Sequence, residues 1–260
     1  DTINIKKGSG KINEVDSRIN LTDLEGTTGI AHVRWATHGN PTEENAHPHN
    51  DCEDKISVVH NGIIENYKQL RQELIDEGHE FKSMTDTEVI PHLIEKYMKD
   101  GCDLLCAVQK TVKRLEGSYA IAAISTSEPD RIVGARNESP LIIGVSEDGN
   151  YLASDVPAIL NETNQIIYLE DKELIVVEND NVEVLDYDLN KIEKEVTTIT
   201  WDPEMAEKCG YDHFMIKEIY EEQQVIKDTL SESESIHEIV KKFKKFNRIC
   251  FVACGTSYHA

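Results

Sequence analysis

The sequence has 260 residues, 39% of them hydrophobic and 29% charged, with a formal net charge of −22. That composition suits a packed globular core, while the charge excludes nucleic acid or an anionic membrane as the expected partner, since phosphate binding needs local positive charge. Six cysteines lie scattered without disulfide rhythm, and no signal, lipidation or membrane-length apolar run is present, so a cytoplasmic chain with reduced thiols is expected.

Residues 1–23 mix charges with short apolar pairs, and Lys7-Gly8-Ser9-Gly10-Lys11 reads as a turn before Ile12 because it lacks phosphate-loop spacing. Residues 29–33, a run of small and β-branched side chains, predict a buried strand. Arg34, Trp35, Thr37 and His38 follow where that strand would run out, and Gly39-Asn40-Pro41 supplies turn chemistry. A guanidinium at such a place suits a carboxylate, which it binds through two parallel hydrogen bonds. The plainer alternative is an ion pair with an Asp or Glu. Residues 56–59 predict a second short strand that delivers His60-Asn61-Gly62 at its end. An Asn amide beside a glycine N–H can form an oxyanion hole, or simply an Asn-Gly turn. Residues 85–88 fit a helix capping box with Asp86 in the first turn, and Asp86 is also a candidate partner for a ligand ammonium.

Three amphipathic helices follow, with core stripes Tyr67/Leu70/Leu74, Ile90/Leu93/Ile94/Tyr97 and Leu104/Val108/Val112/Leu115. Short runs at 119–125, 131–135, 141–145, 151–153, 166–169, 173–177 and 182–186 then predict strands at hairpin spacing. This order suggests layered α and antiparallel β structure. After Pro203 the composition turns helical, and residues 235–246 predict an amphipathic helix with Ile236, Ile239, Val240 and Phe243 inward. Residues 248–253 predict a buried strand of the parallel type, leading to Cys254-Gly255-Thr256-Ser257, a turn suited to a phosphate.

Taken in this order, RWATHG, HNGIIENY and TDTEV resemble the glutaminase domains of the glutamine–fructose-6-phosphate aminotransferase family. ARNESPLIIG and ASD look like further segments of it, and ACGTSYHA resembles the start of its sugar-isomerase domain. The resemblance implies an α+β fold, the αββα sandwich of N-terminal-nucleophile hydrolases, over residues 1–200, a helical linker over 201–245 and the beginning of an isomerase domain over 246–260. It implies that Arg34, helped by Thr37 and His38, binds the carboxylate of glutamine, that Asp86 binds its ammonium, and that Asn61 and Gly62 form the oxyanion hole. Trp35 matches a residue lining an ammonia passage, or is an indole in the core. Gly255, Thr256 and Ser257 match contacts to fructose 6-phosphate. No cofactor and no metal are expected, and the family suggests a homodimer that makes glucosamine 6-phosphate for amino-sugar synthesis. Glu222-Gln223-Gln224 departs from the family's common Glu-Gln-Pro and predicts an altered local kink.

The family's nucleophile is an N-terminal cysteine whose own amine is the base. None of the six cysteines matches it, so the expectation is a chain that starts after that residue and does not hydrolyse glutamine alone. Three rival readings stand beside this one. The first is a metal-binding module on His32, His38, His47, His49, Cys52 and His60, whose spacing matches no common zinc pattern. The others are an amidophosphoribosyltransferase-type glutaminase and a non-catalytic sugar-phosphate sensor.

Overall fold

Each β-branched run between residues 117 and 186 becomes an antiparallel strand in the structure, a computed structural model that describes residues 2–35, 39–200, 210–231, 233–248, 250 and 252–253. The chain divides into two compact units, residues 1–200 and 201–260.

In the first unit, a six-stranded sheet contains β1 (His49–Asn50), β2 (Ile56–Ile64), β3 (Gly117–Ser125), β4 (Glu128–Asn137), β8 (Glu173–Val177) and β9 (Val182–Asp186), in that spatial order. A four-stranded sheet runs β10 (Thr197–Thr198), β7 (Gln165–Tyr168), β5 (Ile142–Ser146), β6 (Gly149–Ala153). Every ladder is antiparallel.

The period of two along a strand decides which layer each side chain joins. Tyr119, Ile121 and Ala123 of β3, with Leu174 and Val176 of β8, face the helices α2 (Tyr67–Asp76), α3 (Val89–Lys99) and α4 (Leu104–Val112). Leu70, Leu74, Ile90, Leu93, Ile94, Leu104, Val108, Val112 and Leu115 fill that layer, and Tyr67 and Tyr97 pack partly buried against it, so every residue of the expected helix stripes contributes. Ala120, Ile175, Val177 and Val184 point the other way, against Leu141, Ile143, Ile167 and Leu169 of the second sheet and its flanks. The outer face of the smaller sheet is covered near Gly144 by Ile159 and Thr163, just past a short 3-10 turn (Val156–Ala158). The layered α and antiparallel β architecture read from the sequence is therefore the observed one.

Two expectations change. Residues 29–33 form no strand: none of them enters a ladder, and Val33 is 73% exposed. An apolar run becomes a strand only by pairing its N–H and C=O groups, and no partner meets this one. The second strand, in contrast, is longer than predicted. β2 runs on through His60, Asn61 and Gly62 to Ile64, all nine residues paired with β3, so the Asn-Gly pair is mid-strand and makes no turn. Upstream, α1 (Ile12–Ile19) follows the Gly8–Gly10 bend and ends at Asn20, a left-handed cap with φ 50°.

The second unit holds α5 (Phe214–Ser231) and α6 (Ser233–Phe243). Ile239, Val240 and Phe243 were expected inward but are 42–50% exposed. Residues 248, 250, 252 and 253 belong to no strand, since no neighbouring strand among the described residues offers them a ladder. Trp201, Gly255, Thr256 and Ser257 lie outside the described residues, and among those described no helix is long and apolar enough to cross a membrane.

Adjacent positions on α2 test the core assignment: Leu74 is fully buried and Ile75 is 44% exposed. Leu74→Ala should lower unfolding free energy by about 2–5 kcal/mol and Ile75→Ala by no more than about 0.5 kcal/mol, as read by chemical denaturation.

Candidate functional site

The site is built on the free edge of β2. In an antiparallel strand, alternate residues direct both backbone polar groups to the same side. Ile56 O accepts from Asp51 N on the β1 side, and Ile64 N donates to Asp86 Oδ2 at 2.8 Å on that same side. His60 and Gly62, in phase with these two, therefore also face the β1 side, past the end of the two-residue β1. Gly62 sits at φ +126°, and a Cβ there would lie 2.1 Å from Ser118 O, so only glycine fits. Asn61 and Gly62 are both exposed residues.

The Asn61 amide is oriented from behind. Its Oδ1 lies 2.7 Å from His32 Nε2. A hydrogen-bonded file continues from there: His32 Nδ1 to His47 Nδ1 at 2.8 Å, His47 Nε2 to Thr87 Oγ1 at 3.0 Å, and Thr87 Oγ1 to His60 Nδ1 at 2.9 Å. With every imidazole neutral, one donor order satisfies every link of the file and leaves His60 Nε2 buried without a partner. His60 Nδ1–H donates to Thr87, Thr87 O–H to His47 Nε2, His47 Nδ1–H to His32, and His32 Nε2–H to Asn61 Oδ1. That order leaves the two Asn61 amide hydrogens free to point outward.

Burial keeps these rings neutral. It pushes His60 down to about 4, against the opposing pull of the Asp86 carboxylate, and His49 down to about 3, with the Lys7 ammonium adding to the effect. It also drives His47 far below its ordinary value, reinforced by His32 and His49, and lowers His32.

Asp86 arrives from the loop before α3, and the expected capping box is displaced there. Glu88 accepts from Lys82 N, Ser83 N and Ser83 Oγ at 2.6–2.7 Å, while Thr85 Oγ1 pairs with His49 Nε2 at 3.1 Å. Asp86 is thus not a helix-start carboxylate: it is buried and fastened to the end of β2. Arg34 reaches the same neighbourhood from an irregular segment, donating to Gly39 O and Asn40 O at 3.3 Å each. Burial lowers its pKa and Asp86 counters that, so the two charges act on each other. Asn45 ties their loops together, because its Nδ2 donates to Asn40 O and its Oδ1 accepts from Met84 N, both at 2.9 Å. Lys7 anchors the far side of that loop on Ala46 O and Pro48 O.

Four of the six glutamine-site residues expected from the sequence are described: Arg34, Asn61, Gly62 and Asp86. Thr37 and His38 lie outside the described residues. A cavity of about 380 Å³ is lined by His32, Arg34 and His47 with Lys7, Pro41 and Thr42, and its walls include neither Asn61, Gly62 nor Asp86. Trp35 is 90% exposed, which rules out a core indole. Among the described residues the rival metal set does not assemble: His47 and His49 face Thr87 and Thr85, whereas Cys52 lies against His79 and His92. Sequence reasoning missed His32, His47 and Thr87 as parts of the site. Their only signal was polar residue type beside apolar runs.

A family model described as the glutamine amidotransferase domain matches residues 32–161. Glutamine–fructose-6-phosphate aminotransferase (isomerizing) of Methanothermobacter thermautotrophicus is 60% identical over 258 residues, covering 99% of this chain and 44% of the relative. The enzyme of the same name from Thermococcus kodakarensis is 46% identical, covering 100% of this chain and 44% of the relative. The chain therefore spans less than half the length of these curated relatives. Among solved structures, a glutamine phosphoribosylpyrophosphate amidotransferase from B. subtilis, complexed with ADP and GMP, aligns with TM-score 0.61 and 26% identity over 74% of this chain and 42% of that one.

Three buried histidines, His47, His49 and His60, give the fold a pH dependence. Their unfolded pKa is near 6.5 and their folded values are lower, so the unfolded state binds more protons between the two and stability is lost as pH falls. From pH 6.5 to 4.5, unfolding free energy should drop by up to about 1.4 kcal/mol per pH unit for each of these three histidines. His60→Gln should flatten that slope in denaturation curves taken across the window.

Proposed function

Because this chain belongs to the glutamine amidotransferase domain family, we propose that it carries the glutamine site of a glutamine–fructose-6-phosphate aminotransferase. The observation that carries this reading is the pairing of the Asn61 amide and the Gly62 N–H on the free edge of β2, beside the opposed charges of Asp86 and Arg34.

Glutamine binding calls for an anion partner, a cation partner and donors at the side-chain carbonyl. Arg34 takes the α-carboxylate, with Thr37 and His38 assisting, and Asp86 takes the α-ammonium. Attack on the side-chain amide carbon moves charge onto its oxygen. The Asn61 Nδ2 hydrogens and the Gly62 N–H stabilise that oxyanion, each such donor being worth about 2.7–4 kcal/mol of barrier. His32 acts through Asn61: by donating to Oδ1 it fixes which end of the amide faces the substrate. Cys52 lies among histidines of a separate cluster, and Cys102 packs against the helical core. Cys106 sits on α4 against Cys102, and Cys250 belongs to the second unit, so none of the described cysteines is assigned as the attacking thiolate. Trp35 borders the path along which ammonia leaves. Gly255, Thr256 and Ser257 contact the phosphate of fructose 6-phosphate, within a homodimer joined through isomerase domains. The amidophosphoribosyltransferase alternative has the weaker support, at 26% identity against 60%.

The test is calorimetric binding of L-glutamine to this chain. Arg34→Ala and Asp86→Ala should each weaken binding roughly 10- to 150-fold, the loss of one charge-assisted hydrogen bond, and Asn61→Ala should affect binding less. Ammonia release by the 260-residue chain should be negligible, and robust turnover would place the nucleophile on one of its own cysteines. In the whole protein, amination of phosphoribosyl pyrophosphate in place of fructose 6-phosphate would favour the alternative.

A further inference from the structure

Away from the glutamine site, four side chains from three segments converge beneath the helical layer. Cys52 comes from the turn between β1 and β2, His79 from the turn after α2, and His92 and Glu95 from adjacent turns of α3. Cys52 Sγ lies 3.6 Å from His79 Nδ1 and 3.5 Å from His92 Nδ1, and the two Nδ1 atoms are 3.2 Å apart. Glu95 Oε2 is 3.0 Å from His79 Nδ1 and 3.5 Å from His92 Nδ1. All four ligand atoms lie within 4.8 Å of one another. Hydrogen bonds do not account for this knot, because a neutral imidazole carries at most one hydrogen on Nδ1 and each Nδ1 here has three close polar neighbours.

Five of the six separations, 3.0–3.6 Å, are instead those of the edges of a tetrahedron, and the sixth, Cys52 Sγ to Glu95 Oε2, is within 4.8 Å. With edges of this length its centre lies about 2 Å from each corner, which is the zinc–imidazole distance. We propose that Cys52, His79, His92 and Glu95 form a structural site for a divalent transition-metal ion, zinc by ligand type. One thiolate, one carboxylate and two neutral imidazoles suit zinc, whereas calcium and magnesium take oxygen ligands. On binding, the Cys52 thiol proton is released to solvent. Thiolate and carboxylate then balance the two positive charges, so that a neutral complex is buried. The surroundings support the ligands. Glu95 Oε2 accepts from Cys52 N, its Oε1 accepts from Lys99 at 2.7 Å, and the remaining nitrogen of His92 is buried without a hydrogen-bond partner, 3.9 Å from Glu88 Oε1. Four protein ligands leave no open position, so the role is to hold α3 and the loop before it against the β1–β2 turn.

The experiment uses the chain purified without a histidine tag. Elemental analysis after growth with zinc should find about one zinc per chain. Cobalt titrated into metal-free protein should give the visible bands of a tetrahedral site and a thiolate-to-cobalt charge-transfer band. Cys52→Ser should abolish that band and cut zinc content to a small fraction, while His32→Ala should leave both unchanged. Absence of bound zinc together with absence of the thiolate band in the unsubstituted chain would overturn the proposal, whether or not any variant folds. Zinc that survives Cys52→Ser but leaves with His32→Ala would overturn it equally, by placing the metal in the other histidine cluster.

Discussion

The N–H of Ile64 donates to Asp86 Oδ2 at 2.8 Å, and both residues are buried. A buried carboxylate needs hydrogen-bond donors, and a strand's last edge N–H needs an acceptor, so each group resolves the other's requirement. The bond also fixes a distance: it sets the loop before α3 two residues from Gly62 along the same edge. The position of that loop is set in turn by α3, whose Val89, Ile90, Leu93 and Ile94 are fully buried in the helical core. Asp86 therefore stands where it does because an apolar stripe three to eight residues away is packed.

Thr87, one residue on, shows the same coupling between core and polar network. Its hydroxyl joins His47 and His60, and through His47 and His32 the connection reaches Asn61. Hydrogen bonds in a poorly solvated place are strong when all are satisfied and costly when one is not. The file works only with neutral rings, and burial supplies that condition. Arg34 and Asp86 add opposite charges that act on each other beside this chain of neutral dipoles.

Sheet geometry explains why the site lies on this strand. β2 is paired with β3 along all nine residues but with β1 along only two. Backbone donors beyond the end of β1 are thereby presented at an edge, while the strand itself stays rigid on its other side. A loop would have offered the same groups with less precise direction. The Cys52–His79–His92–Glu95 cluster is fastened to the opposite end of the same hairpin and to the same helix, so α3 is tied to the sheet both just before its start and along its middle.

The sequence by itself determined the layers. Period-two runs such as 173–177 and 182–186 became strands with the bounds read for them, and the stripes of α2, α3 and α4 are the observed core. These are local patterns, set by side-chain periodicity. It also carried the motifs that mark the family, although not what those residues do in space. Tertiary structure alone decided that residues 29–33 stay unpaired, that Asn61-Gly62 lies within a strand, and that Glu88 pairs with Ser83 while Asp86 turns to β2. Each of these outcomes depends on which backbone edge has a partner, and a sequence carries no record of that. The histidines make the same point. His32, His47 and His60 join one network and His79 and His92 another, because the fold brings distant segments together, and spacing along the chain sorts them in neither way.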